Sequence, residues 1–387
     1  MVSFFTDVSA DMIYPLLPVF LTQTLGVTAS FVGLIEGFAE STTAFFTLFS
    51  GLWADRVRDR SRLVKAGYSL ASFVRPLVAF ATTGWMVFAV RFLDRVGKGI
   101  RTSPRDALIA DSVAAEHRGK AYGLQRSMDH AGAVVGPIVA TLLLTYFVKD
   151  VRAVFLLAAV PALIAVTLVL WKVREVLPKE RPIPAPKKIR LVPPTGRLGI
   201  YLFILFIFIL SCSSDAFLLL RAKELGVSVA LLPVLWMTFN LIKAMTTLPF
   251  GALSDKIGRR RVILAGWTIY ALVYVGFGLA TRAAHVWFLF TAYGLFYGLT
   301  EGSERAILAG YAHPEMKGQA FGWYYFVVGL GALPASLLFG FMYHASGAQT
   351  AFIMSACISA VAAASLWVFM TLFPSSKPSL WTHLKPH

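Results

Sequence analysis

Twelve long apolar runs follow one another along the chain, and this feature constrains its fold more than any other. A helix that crosses a bilayer needs about 20 consecutive apolar residues. At about 30 residues for each crossing with its loop, 387 residues leave room for about a dozen crossings. Only 14% of the residues are charged, against about 25% in soluble domains, so a water-soluble enzyme is excluded. The sequence predicts an all-α membrane protein with twelve transmembrane helices.

The runs form two sets of six, separated by a segment rich in proline and basic residues. The first set is predicted near residues 2–23, 29–53, 63–83, 85–110, 120–147 and 151–172. The second set is predicted near residues 199–221, 227–252, 262–281, 285–311, 319–343 and 348–372. We therefore expect an N-terminal bundle over 1–172, an extended linker over 173–198, a C-terminal bundle over 199–373 and a tail over 374–387.

Basic residues are concentrated in alternate connections between the runs. The second-to-third connection contains Arg56, Arg58, Arg60, Arg62 and Lys65, and the eighth-to-ninth contains Lys256, Arg259, Arg260 and Arg261. The first-to-second and third-to-fourth connections contain none. The positive-inside rule then places both termini and the linker in the cytoplasm of a prokaryote, with the chain multi-pass in the cytoplasmic (inner) membrane. The same rule accounts for the net charge of +16 without a nucleic-acid partner.

The two halves repeat each other. Leu25-Gly26-Val27 recurs as Leu225-Gly226-Val227, and Gly51 and Asp55 recur as Gly251 and Asp255, each at an offset of 200 residues. A further match, Gly119 with Gly318, has an offset of 199. Because the register is kept across a whole half, the repeat indicates a duplicated six-helix unit with a pathway at the interface of the two copies.

One loop motif occurs once in each half. The second copy, G-A-L-S-D-K-I-G-R-R, fits the pattern G-x-x-x-D-x-x-G-x-R at Gly251, Asp255, Gly258 and Arg260. With the twelve runs and the repeat, it resembles the major facilitator superfamily (MFS) over essentially the whole chain. The first copy matches at Gly51, Asp55 and Arg60 but has Arg58 in place of the second glycine.

The resemblance implies the MFS fold, two pseudo-symmetric six-helix bundles. It also implies that the loop is a conformational latch, in which Asp55 meets the helix that begins near residues 318–320. The alternative is that such loops only fix the topology.

The fifth run contains G-A-V-V-G-P-I-V-A, which resembles the antiporter signature of the family at Gly132, Gly136 and Pro137, with Ala140 in place of the last glycine. Small residues four apart allow close helix packing, and the proline bends the helix so that it can rock against the other bundle. The same spacing is common in any packed membrane helix. The signature favours a drug/proton-antiporter-like protein and export over import.

Ionisable residues inside the apolar runs are the candidate functional groups, because each costs about 2.5–3.5 kcal/mol at the bilayer centre. The candidates for proton coupling are Asp7, Asp11, Glu36, Glu40, Asp129, His130, Asp215, Glu301 and Glu304. The candidates for contact with substrate or cavity are Arg91, Asp94, Arg95, Lys98, Arg126, Lys243 and Arg305. All lie on helices that, by the resemblance, line the cavity or flank the bundle interface. Among the remaining helices only Arg75 lies clearly inside a run.

Two roles compete for these groups. Asp11, Glu40 and Asp129 lie nearest mid-span and are candidates to bind and release protons, with His130 as a relay. Alternatively, the charges form fixed ion pairs, for instance Glu36 or Glu40 with Arg91, or Asp94 with Lys98. The surplus of basic residues on the fourth run predicts a positive cavity that favours an anionic or amphipathic acidic substrate.

These features predict a monomeric secondary transporter that works by alternating access and exports a small organic molecule in exchange for protons. A facilitator or symporter that imports an organic anion, and a lipid or lysolipid flippase, are the alternatives. The bilayer, the substrate and protons are the expected partners. The sequence has no phosphate-binding Gly-Lys-Ser/Thr loop, no clustered histidines and no nucleophile motif, so no ATP drive, cofactor, metal or enzymatic activity is expected.

Overall fold

The computed structural model describes residues 1–54, 59–112, 118–174, 194–311 and 317–373, and within these ranges it contains helices and no strand. The first half consists of α1 (Val2–Thr24), α2 (Ala29–Ala54), α3 (Arg60–Phe80), α4 (Gly84–Ser112), α5 (Arg118–Leu142) and α6 (Val151–Lys172). The second half begins with α7 (Gly196–Glu224), α8 (Leu232–Ile257), α9 (Arg259–Leu279) and α10 (Ala283–Tyr311). The last helical stretch, Lys317–Leu372, is interrupted at Gly347 (φ 83°, ψ 167°) and gives α11 (317–346) and α12 (348–372).

The twelve predicted helices are confirmed, with ends that differ from the prediction by a few residues. Eight stretches of the described chain are long and apolar enough to cross a membrane, and the longest of them, Ala320–Leu372, contains both α11 and α12. The helices outside these stretches are α2, α4 and α10, which carry many of the charged candidates. The predicted linker lies mostly outside the described residues, and the predicted tail lies entirely outside them.

Each half has its own hydrophobic core. In the first half, Phe20 packs edge-to-face against Phe155, with ring centroids 5.3 Å apart, and both side chains are fully buried. In the second half, Phe208 stacks on Trp267 with centroids 4.0 Å apart. Burial of such aromatic side chains contributes strongly to core stability, so each half is held together by packing of its own.

The repeat is also visible in the backbone. Gly26 and Gly226, at an offset of 200 residues, both have positive φ (64° and 93°), and each follows the last turn of a helix, α1 or α7. After each glycine, a valine N–H returns to a carbonyl of that last turn, from Val27 to Leu21 and from Val227 to Ala222. The two halves therefore both end their first helix at a glycine with positive φ.

One helix is broken in a way that the sequence analysis did not predict. Within α7, the segments Gly196–Ser211 and Asp215–Glu224 are separated by residues 212–214. The carbonyl oxygen of Ser211, freed by the break, accepts hydrogen bonds from the Tyr270 hydroxyl (2.7 Å) and from the Ser355 hydroxyl. The Ser214 side chain caps the second segment, which places Asp215 in its first turn.

The halves contact each other closely along α2 and α11. Ser30 donates a hydrogen bond to the carbonyl of Gly340 (3.2 Å), and Ser41 donates to the carbonyl of Gly329 (2.7 Å). These contacts lie in the first half of α2, between Ser30 and Ser41. Towards the opposite end of α2, the Phe49 side chain is about half exposed, as is that of Tyr325 towards the start of α11. The close contacts described here between α2 and α11 thus lie towards one end of the molecule.

Candidate substrate and proton site

A cavity of about 250 Å³ lies between the two halves. Its lining includes five acids, which are Asp7, Asp11, Glu40, Asp94 and Asp215, and five bases, which are Arg75, Arg91, Arg95, Lys98 and Arg101. Asp215 and Trp236 come from the second half, and the other lining residues come from the first. The positive cavity predicted from α4 alone is therefore a prediction that the structure corrects, because carboxylates from α4 itself and from three other helices match the bases in number.

Close packing brings the charged face of α4 to the cavity. Gly97 of α4 lies directly against the carbonyl of Gly67 on α3, so that a Cβ atom at Gly97 would meet this oxygen at 2.7 Å. On the other side, Gly99 lies against Phe46 of α2, so that a Cβ atom at Gly99 would meet Phe46 Cβ at 2.5 Å. Because α4 is seated between α2 and α3 by these glycines, residues three and four apart on its remaining face point into one space.

Two of the predicted carboxylates on α2 form ion pairs with α4. Glu36 accepts hydrogen bonds from Arg91 Nη2 at both carboxylate oxygens (2.8 and 2.7 Å) and from Nε at 3.1 Å, and both side chains are buried. Glu40 lies 3.3 Å from Arg95 Nη2 and is half exposed. Glu36 and Glu40 were the two predicted partners of Arg91. In the structure Arg91 pairs with Glu36, and Glu40 pairs with Arg95, one turn further along α4.

The predicted pair of Asp94 with Lys98 is wrong. Asp94 Oδ1 instead accepts from Arg75 Nη2 (2.8 Å) and Nε (3.1 Å), and Arg75 Nη1 donates to the carbonyl of Thr6 (2.9 Å). The planar guanidinium of Arg75 can serve a carboxylate and a carbonyl at once, whereas the ammonium of Lys98 is a compact charge. The one charge predicted inside a scaffold helix thus links α3 to α4 and α1.

Two acids are held by neutral donors from the second half. Trp236 Nε1 donates to Asp11 Oδ1 at 2.7 Å, and the indole lies against Tyr14 with ring centroids 4.8 Å apart. Asp215 Oδ1 accepts a hydrogen bond from the Tyr293 hydroxyl at 2.7 Å. The first of these contacts joins the two halves through a candidate proton-coupling residue.

The glycines of the antiporter-like signature contact α1. A Cβ atom at Gly132 would meet the Phe4 carbonyl oxygen at 2.6 Å and Asp7 Cβ at 2.9 Å, and one at Gly136 would meet the Val8 carbonyl oxygen at 2.6 Å and Asp11 Cβ at 3.2 Å. Our prediction placed these residues at the contact with the other bundle. The structure shows that the two glycines seat α1 against α5 within the first half, and Pro137 lies inside α5.

Asp129 and His130 lie within α5, and His130 is close to the second half. Asp129 Oδ2 accepts from Gln125 Nε2 at 2.5 Å, while its Oδ1 is buried with no hydrogen-bond partner among the described residues. Asp129 also repels Asp7 electrostatically, and His130 interacts with Lys243 and Glu301 of the second half.

The remaining candidates of the second half lie away from Asp7 and Asp11. Lys243 Nζ is 3.8 Å from Glu301 Oε2 and lies over the Tyr297 ring at 4.6 Å. Glu304 accepts hydrogen bonds from Trp267 Nε1 (3.3 Å) and from the Tyr324 hydroxyl (3.1 Å), so it packs among aromatic residues. Arg126 is exposed, and the side chain of Arg305 lies outside what the structure describes.

The loop motif is described best in its second copy. Gly258 has φ 97° and joins α8 directly to α9. Arg260 donates hydrogen bonds to the carbonyls of Met370 (3.0 Å) and Trp367 (3.3 Å), which satisfies carbonyl groups in the last turns of α12. The side chain of Asp255 lies outside the described residues. Within the described part of the chain, no atom lies within 4 Å of a Cβ placed at Gly251.

The first copy of the motif is only partly described. Gly51 lies against α4, so that a Cβ atom at Gly51 would meet the Ser103 hydroxyl oxygen at 2.9 Å. Arg60 is buried at the start of α3. Asp59 accepts hydrogen bonds from the Ser61 hydroxyl (2.6 Å) and from Arg62 Nε (2.9 Å), which hold the pKa of Asp59 below its usual value. Asp55, and with it the predicted latch contact, lies outside the described residues.

Arg101 and Trp236 are among the cavity residues that were not selected as candidates from the sequence. Arg101 lies three residues after Lys98 on the same face of α4, and only 5% of its surface is exposed. Its spacing was a usable signal, since it continues the series of Arg91, Arg95 and Lys98 along one face. Trp236 gave no such signal, because its contact with Asp11 depends on how the two halves meet.

Comparison with known proteins places this site in a known architecture. The family model described as Major Facilitator Superfamily matches residues 1–220 and again residues 200–385. The chain is 35% identical over 363 residues to an uncharacterized MFS-type transporter of Methanocaldococcus jannaschii, covering 90% of this chain and 88% of that relative. It is 27% identical over 284 residues to the multi-drug resistance efflux pump PmrA of Streptococcus pneumoniae, covering 70% of each.

Solved structures share the fold. The nucleoside transporter NupG superposes with a TM-score of 0.81 at 14% identity, covering 96% of this chain and 98% of NupG. A bacterial homolog of the human lysosomal transporter Spinster, in an inward-facing and occupied conformation, superposes with a TM-score of 0.79 at 14% identity, covering 98% and 97%. With the family model matched in both halves, the chain belongs to the major facilitator superfamily and is a multi-pass membrane transporter.

Proposed function

We propose that this protein is a proton-coupled secondary transporter that exports a small organic molecule by alternating access, without covalent chemistry. The observation that carries the proposal is the cavity between the halves, which is lined by Asp7 and Asp11, two carboxylates outside the ion pairs described above. A carboxylate that moves between wet and dry surroundings changes its pKa by several units. Such a group can therefore bind a proton on one side of the membrane and release it on the other.

The candidates divide into two groups by their contacts. Glu36, Asp94 and Glu40 are bound to arginines, and we assign them to holding α2, α3 and α4 together. We assign proton binding to Asp7, Asp11 and Asp129.

The positive-inside rule supports a cytoplasmic location of both termini and of the end of α2 that is followed by Arg60 and Arg62. The close α2–α11 contacts lie towards the opposite end. We therefore assign the structure to a state that is closed towards the outside. Export is supported by the similarity to PmrA, which is a multi-drug resistance efflux pump, and by the antiporter-like signature at Gly132–Pro137.

The proposal is tested in proteoliposomes with an imposed pH gradient and a panel of small organic substrates. We expect uphill substrate flux in the direction opposite to the flow of protons, and loss of this flux in Asp7→Asn, Asp11→Asn and Asp129→Asn. Downhill exchange should be retained in Asp11→Asn and Asp129→Asn. Glu224→Gln, which alters a half-exposed acid paired with Arg221 at the end of α7, is the matched control and should transport normally.

Each alternative gives a different result in the same vesicles. Flux that ignores the pH gradient identifies a facilitator, and flux that runs with the protons identifies a symporter importing its substrate. Movement of lipid headgroups between leaflets, measured by their exposure to an external reagent, identifies a flippase. Uphill flux that survives all three substitutions would remove the assignment of the proton site.

A further inference from the structure

Resting on the transport function proposed above, we propose that the cavity binds an amphoteric substrate, which places a cationic group at Asp7 and an anionic group at Lys98 and Arg101. The proposal follows from which charges remain after the ion pairs are accounted for. Arg75, Arg91 and Arg95 each have a carboxylate partner. The other two cavity bases and Asp7 do not.

Arg101 supplies the first part of the anion site. Its side chain lines the cavity and is almost completely buried, yet its Nε and Nη1 atoms have no hydrogen-bond partner among the described residues. The guanidinium lies over the Tyr68 ring at 4.1 Å, which occupies its face and leaves the donors at its edge available. Buried guanidinium donors without a partner are costly, and a carboxylate or phosphate is the group whose geometry fits them.

Lys98 supplies the second part. It lies one turn before Arg101 on the same face of α4 and lines the same cavity. In the described part of the chain Lys98 forms no side-chain hydrogen bond to an acid and no ion pair, although Glu40 is close enough to act on it. Because Glu40 is already bound to Arg95, the Lys98 ammonium and the Arg101 guanidinium form a positive pole on the α4 side of the cavity.

Asp7 forms the opposite pole. It lines the cavity from α1, and no hydrogen bond or ion pair to it occurs among the described residues. Gly132 of α5 packs closely against Asp7 Cβ and so restricts its position. Asp11, one turn along α1, already accepts a hydrogen bond from Trp236. Lys98 and Arg101 both attract Asp7 electrostatically, but neither forms an ion pair with it. The cavity thus presents two basic groups from α4 and a carboxylate from α1, which form no ion pair with one another among the described residues.

A ligand with a single charge would neutralise one pole and leave the other buried and uncompensated, which is unfavourable in a site of low dielectric. A ligand with both charges satisfies the two poles at once. Its cationic group and a proton then compete for the same carboxylate, Asp7, and such competition is the condition for exchanging a substrate for a proton.

The test measures binding to the purified full-length protein in detergent by titration calorimetry, without any gradient. The probes are ω-aminoalkanoates of six and eight carbons, with the alkanoate and the alkylamine of the same length as single-charge controls. We expect the aminoalkanoates to bind at least about tenfold more tightly than either control. The corresponding ω-aminoalkyl phosphates show whether the anion site prefers phosphate to carboxylate.

Variants assign the poles. Lys98→Met and Arg101→Met should each weaken the aminoalkanoate about tenfold or more and leave the alkylamine unchanged, while Asp7→Asn should weaken the alkylamine and leave the alkanoate unchanged. Arg62→Gln, which removes an exposed arginine paired with Asp59 outside the cavity, is the matched control and should bind all probes as the parent does.

Aminoalkanoates that bind the parent protein no better than the single-charge probes would overturn the inference, even if a variant fails to fold. So would retention of their affinity in the Lys98 and Arg101 variants. Because no gradient is present, binding as expected together with flux that ignores protons would reject the proposed coupling and leave the substrate class standing.

Discussion

The Trp236 indole donates a hydrogen bond to the Asp11 carboxylate at 2.7 Å, and this contact connects α8 of the second half with α1 of the first. A hydrogen bond to a charged group is worth about 1.5–3 kcal/mol. Protonation of Asp11 removes that charge and weakens the bond. Contact between the halves is thereby linked to the protonation state of a cavity acid, which is the property that alternating access driven by protons requires.

Trp236→Phe should separate the hydrogen bond from the packing, because phenylalanine keeps an aromatic ring beside Tyr14 and removes the N–H donor. We expect a lower melting temperature in detergent, corresponding to about 1.5–3 kcal/mol, and slower proton-driven flux. Trp171→Phe is the control, since Trp171 is 66% exposed and outside the cavity. Equal losses in the two variants would show that the hydrogen bond has no special role.

The Glu36–Arg91 pair should behave as a buried ion pair whose partners depend on each other. Glu36→Met or Arg91→Met alone leaves an uncompensated buried charge, for which we expect a loss of about 3–5 kcal/mol. The double variant removes both charges and should be more stable than either single variant. Thermal unfolding of the four proteins gives the coupling energy, and additive losses would contradict the pairing seen between α2 and α4.

The helices and the repeat could be predicted because apolar runs and spacing are properties of the sequence itself. The charge pairs could be predicted only in part. The helical stripe on α4 identified Arg91, Arg95 and Lys98, but Arg101 was missed. The partner of Asp94 is Arg75 on α3, and no spacing within α4 contains that information. The contact of Asp11 with Trp236 joins residues 225 positions apart. It depends on the rotation of α1 and α8 about their axes, which only tertiary packing determines.

Gly132→Ala should displace Asp7, because the added methyl group would meet the Phe4 carbonyl oxygen at 2.6 Å and Asp7 Cβ at 2.9 Å. Overpacking of this kind costs about 1–3 kcal/mol, and we expect a lower melting temperature together with reduced proton-driven flux. Gly322→Ala on α11 is the matched control, since no atom of the described residues lies within 4 Å of a Cβ placed there. Normal flux in Gly132→Ala would mean that the close contact of α1 with α5 does not position the acid.

Gly258 and Gly251 belong to the same loop motif, and substituting each by alanine tests what the motif requires. Gly258 has φ 97° in the turn between α8 and α9, where a side chain costs about 1–2 kcal/mol. Gly251 lies within α8 in open space, where alanine favours the helix by up to about 1 kcal/mol. We therefore expect Gly258→Ala to lower the melting temperature and Gly251→Ala to leave it unchanged or raise it.

If Gly251→Ala nevertheless slows transport in vesicles while its stability is kept, the space beside Gly251 is occupied in another state of the transport cycle, as a latch requires. Normal transport by Gly251→Ala would leave the motif with the role of fixing the turn.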